Sequence, residues 1–344
     1  MPAPRPAPRL AALVVTYNRA AQIRRTVEAL LASGIDHLLV VDNASDDGST
    51  DFLAKLDDPR FELLRQPQNR GGAGGFEAGL RHLVSRYDPD WCVVMDDDAR
   101  PEPGAIARFL AAEPGFARTG WEAIAAGVRY PDGAICEMNR PGRNPFWDWR
   151  SFVRTLFGGG RGGFHLKDSD YAATEPVVIH NASFVGLFLS RAAIGRVGYP
   201  EGDLFIYGDD VIYTLNLTRA GGAIGFAPWI GFEHDCSAFH RPQAQGQPKA
   251  QDTADKDRLL NPLWKVYYNY RNGLFAYRLA AGPLLFWPVL LVVVPKWLMK
   301  ARYYGENRTV FRQLVVLAVK DALSGRRDRT HEDIRRASNK RQGT

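Results

Sequence analysis

Cysteine is scarce in this chain: Cys92, Cys136 and Cys236 are the three in 344 residues, odd in number, widely spaced and in no metal-ligand pattern. That usage excludes a disulfide framework and fits a reducing compartment. The glycine run from Gly71 to Gly75 does not match GxGxxG and no GxxxxGKS/T occurs in the chain, so neither a dinucleotide-binding Rossmann enzyme nor a P-loop enzyme is supported. The opening MPAPRPAPR has no apolar run of the signal-peptide kind, and residues 1–9 read as a disordered leader. The uncharged run Ala280 to Pro295 counts 16 residues. As an ideal helix it covers about 24 Å, short of a hydrocarbon core of roughly 30 Å. Pro283, Pro288 and Pro295 interrupt it, Arg278 precedes it, and Lys296, Lys300 and Arg302 follow. An interfacial or re-entrant helix suits this better than a straight span, with a buried helix pair as the alternative.

What the chain does have is asymmetric charge. The formal net charge is +6, yet from Lys296 onward 13 Lys and Arg face 5 Asp and Glu, so the rest of the chain is slightly acidic. A basic end beside an apolar run points to an anionic membrane surface, although a merely solvated tail has the same composition. Length and a hydrophobic content of 45% allow one large α/β domain with an appendage, or two domains.

Strand and helix patterns alternate from the start. Leu10 to Val15 is apolar and ends in Thr16-Tyr17-Asn18-Arg19, and Ile23, Val27, Leu30 and Leu31 then mark a helix closed by Gly34. Leu38 to Val41 ends in Asp42-Asn43, and Ser49 can cap the short helix that follows. Phe61 to Leu64 leads to Asn69-Arg70-Gly71-Gly72-Ala73-Gly74-Gly75 and a third helix. Such alternation predicts a parallel sheet with right-handed crossovers and one polar edge at the carboxyl ends of the strands. Glycines opening a helix let backbone amides approach a diphosphate, but a tight structural turn explains them equally.

The fourth strand, Trp91-Cys92-Val93-Val94-Met95, runs into Asp96-Asp97-Asp98. Three adjacent carboxylates at the ligand-binding edge of an α/β sheet suit a divalent cation bridging protein and phosphate, and a solvated turn is the bland alternative. Alternation sends Asp96 and Asp98 to one side and Asp97 to the other. A hairpin is expected around Pro131-Asp132-Gly133. Further on, Asp209-Asp210 opens a helix after Gly208, where capping accounts for one acid and a general base for the second. His234 follows a short apolar strand between Glu233 and Asp235. It is either structural or a nitrogen ligand for the same cation.

VVTYNR, VVDNASDDGST, the Asn-Arg-Gly-Gly loop, the DDD strand end, the GDD helix start and the later histidine, in this order, resemble the GT-A fold glycosyltransferases of family 2 from about Leu10 to His234. NRGGAGGFEAGL followed by MDDDA is similar to the galactofuranosyltransferase branch, as is the tyrosine-rich Val266 to Asn272 segment ending in Arg-Asn. Rhamnosyltransferases share much of this pattern. The resemblance implies a nucleotide-diphospho-sugar transferase fold, with a mixed, mostly parallel central sheet, flanking helices and a helical membrane-associating segment at the C-terminal side. It implies that Thr16, Tyr17, Arg19, Asp42, Asn43 and Asn69 hold the nucleotide, that Gly71 and Gly72 admit the donor, and that Asp97 touches it. Asp96, Asp98 and His234 would bind Mn2+ or Mg2+, and Asp210 would be the catalytic base with Asp209 as its understudy. Gly208 departs from the branch, which tends to carry tryptophan there.

The expected organisation is a leader (1–9), a catalytic domain (10–240) with a nucleotide half (10–98) and an acceptor half (99–240), a linker (241–260), a helical membrane-associating segment (261–325) and a basic tail (326–344). The expected activity is inverting, metal-dependent transfer of a hexose, galactofuranose from its UDP donor, to a lipid-linked or oligosaccharide acceptor in cell-surface polysaccharide synthesis. The expected place is the cytoplasmic face of the inner membrane, peripheral or monotopic, with self-association left open and no nucleic-acid partner. A dTDP-rhamnose-dependent enzyme is the near alternative. A metal-dependent phosphodiesterase would show more histidine ligands and a second metal. A nucleic-acid-binding or scaffold protein would exploit the basic tail, but an acidic crevice repels phosphates unless a cation intervenes.

Overall fold

Leu10–Thr16, buried at every position, forms the strand (β1) around which the nucleotide half is laid down. The computed structural model describes residues 8–147, 149–155, 163–236 and 260–339. The leader up to residue 7, most of the Gly158 to Gly163 run, the linker up to residue 259 and the last five residues of the expected tail lie outside the described residues.

β1 is flanked by β2 (His37–Asp42) and β4 (Trp91–Asp96), and β3 (Phe61–Arg65) lies outside β2, all parallel. Helices α1 (Ala20–Leu31), α2 (Ser49–Leu53) and α3 (Gly71–Arg86) make the crossovers the alternation predicts. Local chemistry explains the details. The Asp47 carboxylate, rather than Ser49, serves the start of α2, accepting from the backbone N–H of Ser49 at 3.0 Å. Glycines in α3 allow it to lie close on the sheet: a Cβ at Gly75 would come within 2.4 Å of Val15, and one at Gly79 within 2.3 Å of Leu13. Close packing is therefore part of what the glycine-rich run is for.

Beyond Asp96 the pairing turns mixed. A short strand missing from the sequence reading, β5 (Ala99–Pro101), precedes helix α4 (Ala105–Thr119). Then come β6 (Trp121–Arg129), a short helix α5 (Trp149–Arg154), β7 (Val177–Ile179), β8 (Leu187–Ser190), helices α6 (Arg191–Val197) and α7 (Asp209–Arg219), and β9 (Ala223–His234). The sheet order is β3-β2-β1-β4-β8-β6-β9-β5, with β7 on β9. The expected hairpin keeps its turn, where Gly133 N–H donates to the Tyr130 carbonyl at 2.9 Å. Its second arm reduces to one bridge, Arg129 to Ile135.

Contacts divide the chain into two units, one of 1–202 with 210–235, the other of 203–209 with 236–344. In the second, helix α8 (Trp264–Met299) contains Pro283, Pro288 and Pro295 and leaves helical geometry at Gly282, as a kink at that Gly-Pro pair requires. Turns of 3-10 helix lead to α9 (Arg308–Ser324). Tyr267, Tyr268, Phe311 and Leu314 are its core. The stretch Trp264–Ser324 is long and apolar enough, by length and composition, to cross a membrane. The basic end is not wholly a tail. It carries a helix, α10 (His331–Asn339), whose Ile334 is fully buried and whose start is fixed by Thr330 and Asp333 bonding each other's backbone N–H.

Candidate active site

The carboxyl end of β4 and the last residue of β9 meet through a pairing that the local sequence does not announce. β5 runs antiparallel to the end of β9, with Ala99 opposite His234. The Asp98 carbonyl accepts from the Asp235 N–H at 2.9 Å. His234 is thereby set beside the acids: its Nε2 lies 3.0 Å from Asp98 Oδ1. One ligand atom each from Asp96, Asp98 and His234 falls within 4.8 Å of the others. The opposite ring nitrogen, Nδ1, donates to Asn139 Oδ1 at 2.7 Å. Asn139 is buried and was not foreseen, because nothing near it in sequence indicates that its amide will meet a residue 95 positions away.

Asp97 faces the other way and is held differently. Thr16 Oγ1 donates to its Oδ2 at 2.8 Å, the Tyr17 N–H also bonds it, and Arg19 Nη1 is 3.7 Å from its Oδ1. The Tyr17 side chain itself is exposed. The same Arg19 nitrogen donates to Asp98 Oδ2. In this state, then, Arg19 supplies the positive charge the acidic run requires, a role additional to the nucleotide contact implied by its motif.

Electrostatics follow from this packing. Burial, then the charge of Asp98, pushes Asp96 up to about 7. Burial also lifts Asp97 to about 7 against the pull of Arg19. Asp98 is itself penalised by burial, but His234 and Arg19 outweigh that and hold it below the usual carboxylate range. Burial opposes protonation of His234, yet the Asp98 hydrogen bond and charge win and push it up to about 10. Two carboxylates and an imidazole oriented by a buried amide form a donor set that fits Mn2+ or Mg2+, and a divalent ion would relieve the crowded negative charge.

A second cluster lies on the neighbouring strand ends, joined to the first by the β1–β2 register that sets Thr16 against Asp42. Asp42, fully buried, accepts from the Ser45 N–H at 3.1 Å. Asn43 Nδ2 donates to the Gly71 carbonyl at 2.9 Å, and Asn69 Oδ1 accepts from the Gly71 N–H at 2.7 Å. Asn43 Oδ1 is buried with no hydrogen-bond partner among the described residues, so its acceptor capacity is unused. Gly72 faces open space.

Asp210 stands in the first turn of α7. Burial lifts it to about 6, while hydrogen bonds from the Val211 and Phe184 backbones pull the other way. Its charge is felt at Asp96, so it belongs to the same electrostatic neighbourhood as the three aspartates. Asp209, also buried, opens the helix immediately before it.

Residues 11–154, which include the polar strand ends and the aspartate run, match the model of the family described as Glycosyl transferase family 2. The chain is a glycosyltransferase whose residues 11–154 carry the family 2 pattern. Galactofuranosyltransferase GlfT1 of Mycolicibacterium smegmatis is 27% identical to this enzyme over 306 residues, covering 86% of it and 90% of the relative. The protein of the same name from Mycobacterium tuberculosis is 26% identical over 269 residues, 76% of this chain and 79% of that one. Among solved structures, GalNAc-T7 with UDP, GalNAc and Mn2+ superposes with a TM-score of 0.50 at 14% identity, over 78% of this chain and 51% of that chain. This likeness establishes a shared fold, the GT-A arrangement. Within that fold the motif acids stand at the carboxyl end of β4.

Proposed function

We propose that this glycosyltransferase moves galactofuranose from UDP-galactofuranose to a lipid-linked or oligosaccharide acceptor in cell-surface polysaccharide synthesis, with inversion, using Mn2+ or Mg2+ held by Asp96, Asp98 and His234. The observation that carries the reading is the convergence of those three side chains within 4.8 Å of one another, in a chain similar to galactofuranosyltransferases along most of its length. A divalent ion bound there supplies positive charge against which a nucleoside diphosphate can leave, stabilisation of several kcal/mol.

The chain's own residues do the rest. Asn43, Asp42 and Arg19 hold the nucleotide, and the backbone around Gly71 and Gly72 admits the diphosphate. Asp97, held by Thr16 and Arg19, contacts the donor. Asp210 takes the proton of the acceptor hydroxyl as that oxygen attacks the anomeric carbon from the face opposite the leaving group. A carboxylate lifted to about 6 is ionised at neutral pH yet more basic than an ordinary one, which suits that task. Asp209 lies beside it as the secondary acid.

The C-terminal unit supports peripheral or monotopic attachment to the cytoplasmic face of the inner membrane. Leu284 is 85% exposed, Trp287 57% and Leu291 75%, and Lys296, Lys300 and Arg302 follow. Apolar anchors beside cations suit an anionic lipid surface.

A thermal-unfolding screen of nucleotide sugars with Mn2+ tests the donor. UDP-galactofuranose should give the largest rise in Tm. A larger rise with dTDP-rhamnose moves the enzyme to the rhamnosyltransferases, and metal-independent rises contradict the cation site.

A further inference from the structure

The segment Asp203 to Asp209, which runs directly into Asp210, has an unusual backbone. Phe205 and Tyr207 both have φ of 67°, a left-handed conformation that bulky side chains rarely adopt, and Gly208 follows with φ of 77°. Such conformations persist only where surrounding contacts over-determine them, and they gather at functional sites. A tryptophan at position 208 would be strained in the same way.

Two neighbouring side chains supply the over-determination. Arg271 and Asn272 are both fully buried. Arg271 Nη2 donates to the carbonyls of Asp203 at 3.0 Å and Leu204 at 3.1 Å. Asn272 Nδ2 lies 2.9 Å from the Leu204 carbonyl, 2.9 Å from that of Ile206 and 2.8 Å from that of Tyr207. Arg271 Nε donates to Asn272 Oδ1 at 2.9 Å, which fixes which way the amide points.

A fully buried guanidinium normally faces a carboxylate. Among the described residues no carboxylate pairs with Arg271. Its Nη1 has no hydrogen-bond partner, and the rings of Tyr267 and Tyr268 lie 5.2 Å from its guanidinium carbon. Outside its neighbours Asn272 and Tyr267, the hydrogen bonds that this costly charge makes go to the main chain of one short segment. Packing alone would be served as well by an apolar residue of similar size.

We infer that Arg271 and Asn272 are positioning residues for the reaction: they fix the backbone of 203–209 and through it the point at which Asp210 is presented to the acceptor. The inference rests on the reading of Asp210 as the base. Displacing a reacting group by about 1 Å can cost about 100-fold in rate, so loosening the segment should act on turnover and leave donor affinity alone.

The test compares Asn272→Ala, the near-isosteric Asn272→Asp, Arg271→Ala and Arg271→Lys with Asp210→Asn in the full chain. It measures kcat, donor KM, Mn2+-dependent UDP affinity and Tm. Both Asn272 variants should lose about 10- to 100-fold in kcat with UDP affinity within about twofold of the parent, and Arg271→Lys should recover part of what Arg271→Ala loses. Parental kcat in both Asn272 variants overturns the inference. So does a fall in kcat matched by an equal loss of UDP affinity and Tm, since that marks a merely structural role. Where the Arg271 variants do not fold, the Asn272 pair decides. Full turnover by Asp210→Asn removes the base and the inference together, whereas an inactive Asp210→Asn beside normal Asn272 variants removes the inference alone.

Discussion

His234 Nε2 and Asp98 Oδ1 lie 3.0 Å apart although 136 positions separate the two residues in the chain. The contact depends on the three residues of β5, which pair Ala99 with His234, and on Asn139, which takes the hydrogen of the opposite ring nitrogen. That contact and the charge of Asp98 push the imidazole up to about 10, which favours a proton between the two atoms. When a cation is bound, the same two atoms become candidate ligands and the proton between them must leave.

Metal binding should therefore be coupled to proton release. Asp96, lifted to about 7, and His234, lifted to about 10, must both be deprotonated to act as ligands. Mn2+ affinity should increase as pH rises from about 6 to about 8, with protons released into solution. Calorimetry in buffers of different ionisation enthalpy measures both, and a pH-independent affinity without proton release contradicts the donor set.

Stability without metal should run the other way. The folded pKa of Asp96 and of Asp97 lies above the ordinary carboxylate value, so each contributes most below about pH 4 and loses that contribution as pH rises through about 7. His234, raised from its ordinary value of 6.5 to about 10, contributes in full below the former and loses it on the way to the latter. Asp98, held low, changes only in stronger acid. Metal-free Tm should thus fall by several degrees between about pH 5 and about pH 8, and Asp97→Asn should flatten the slope. A Tm that rises over this interval contradicts these assignments.

Asn139→Ala should weaken Mn2+ binding by about 10- to 100-fold, because the imidazole loses the partner that fixes its ring. Metal titration measures it. Unchanged affinity with an intact fold contradicts the orienting role.

The sequence displayed much of this centre and hid the rest for reasons of distance. Each acid or amide that ends a strand is visible locally, since an apolar run of fixed length must stop somewhere and polar residues mark the stop. Thr16, Asp42 and Asp96 are of this kind. Asn139 and the Ala99–Pro101 strand are not, because their partners lie far along the chain and three residues carry no periodicity. The buried Ile334 was obscured by the basic residues around it, although Thr330 and Asp333 are a legible helix start. Arg271 and Asn272 were visible as a pair and silent about their acceptors, which are carbonyls and therefore have no sequence signature.

For the C-terminal helices, Leu284→Glu combined with Leu291→Glu should lower partition onto phosphatidylglycerol vesicles by at least about tenfold without changing the fold, since both side chains face solvent. Vesicle co-sedimentation measures it, and equal sedimentation of the parent and the double variant contradicts membrane attachment through this face.

The central claim is that distant acids and one imidazole share a cation while a different acid activates the acceptor. Its most direct test sets Asp98→Ala beside Asp210→Asn and measures Mn2+-dependent UDP affinity and turnover in both. The account predicts that Asp98→Ala loses both, and that Asp210→Asn keeps UDP affinity within about twofold while turnover falls by about 10²- to 10⁴-fold. Parental Mn2+-dependent UDP binding by Asp98→Ala, or parental turnover by Asp210→Asn, would contradict it.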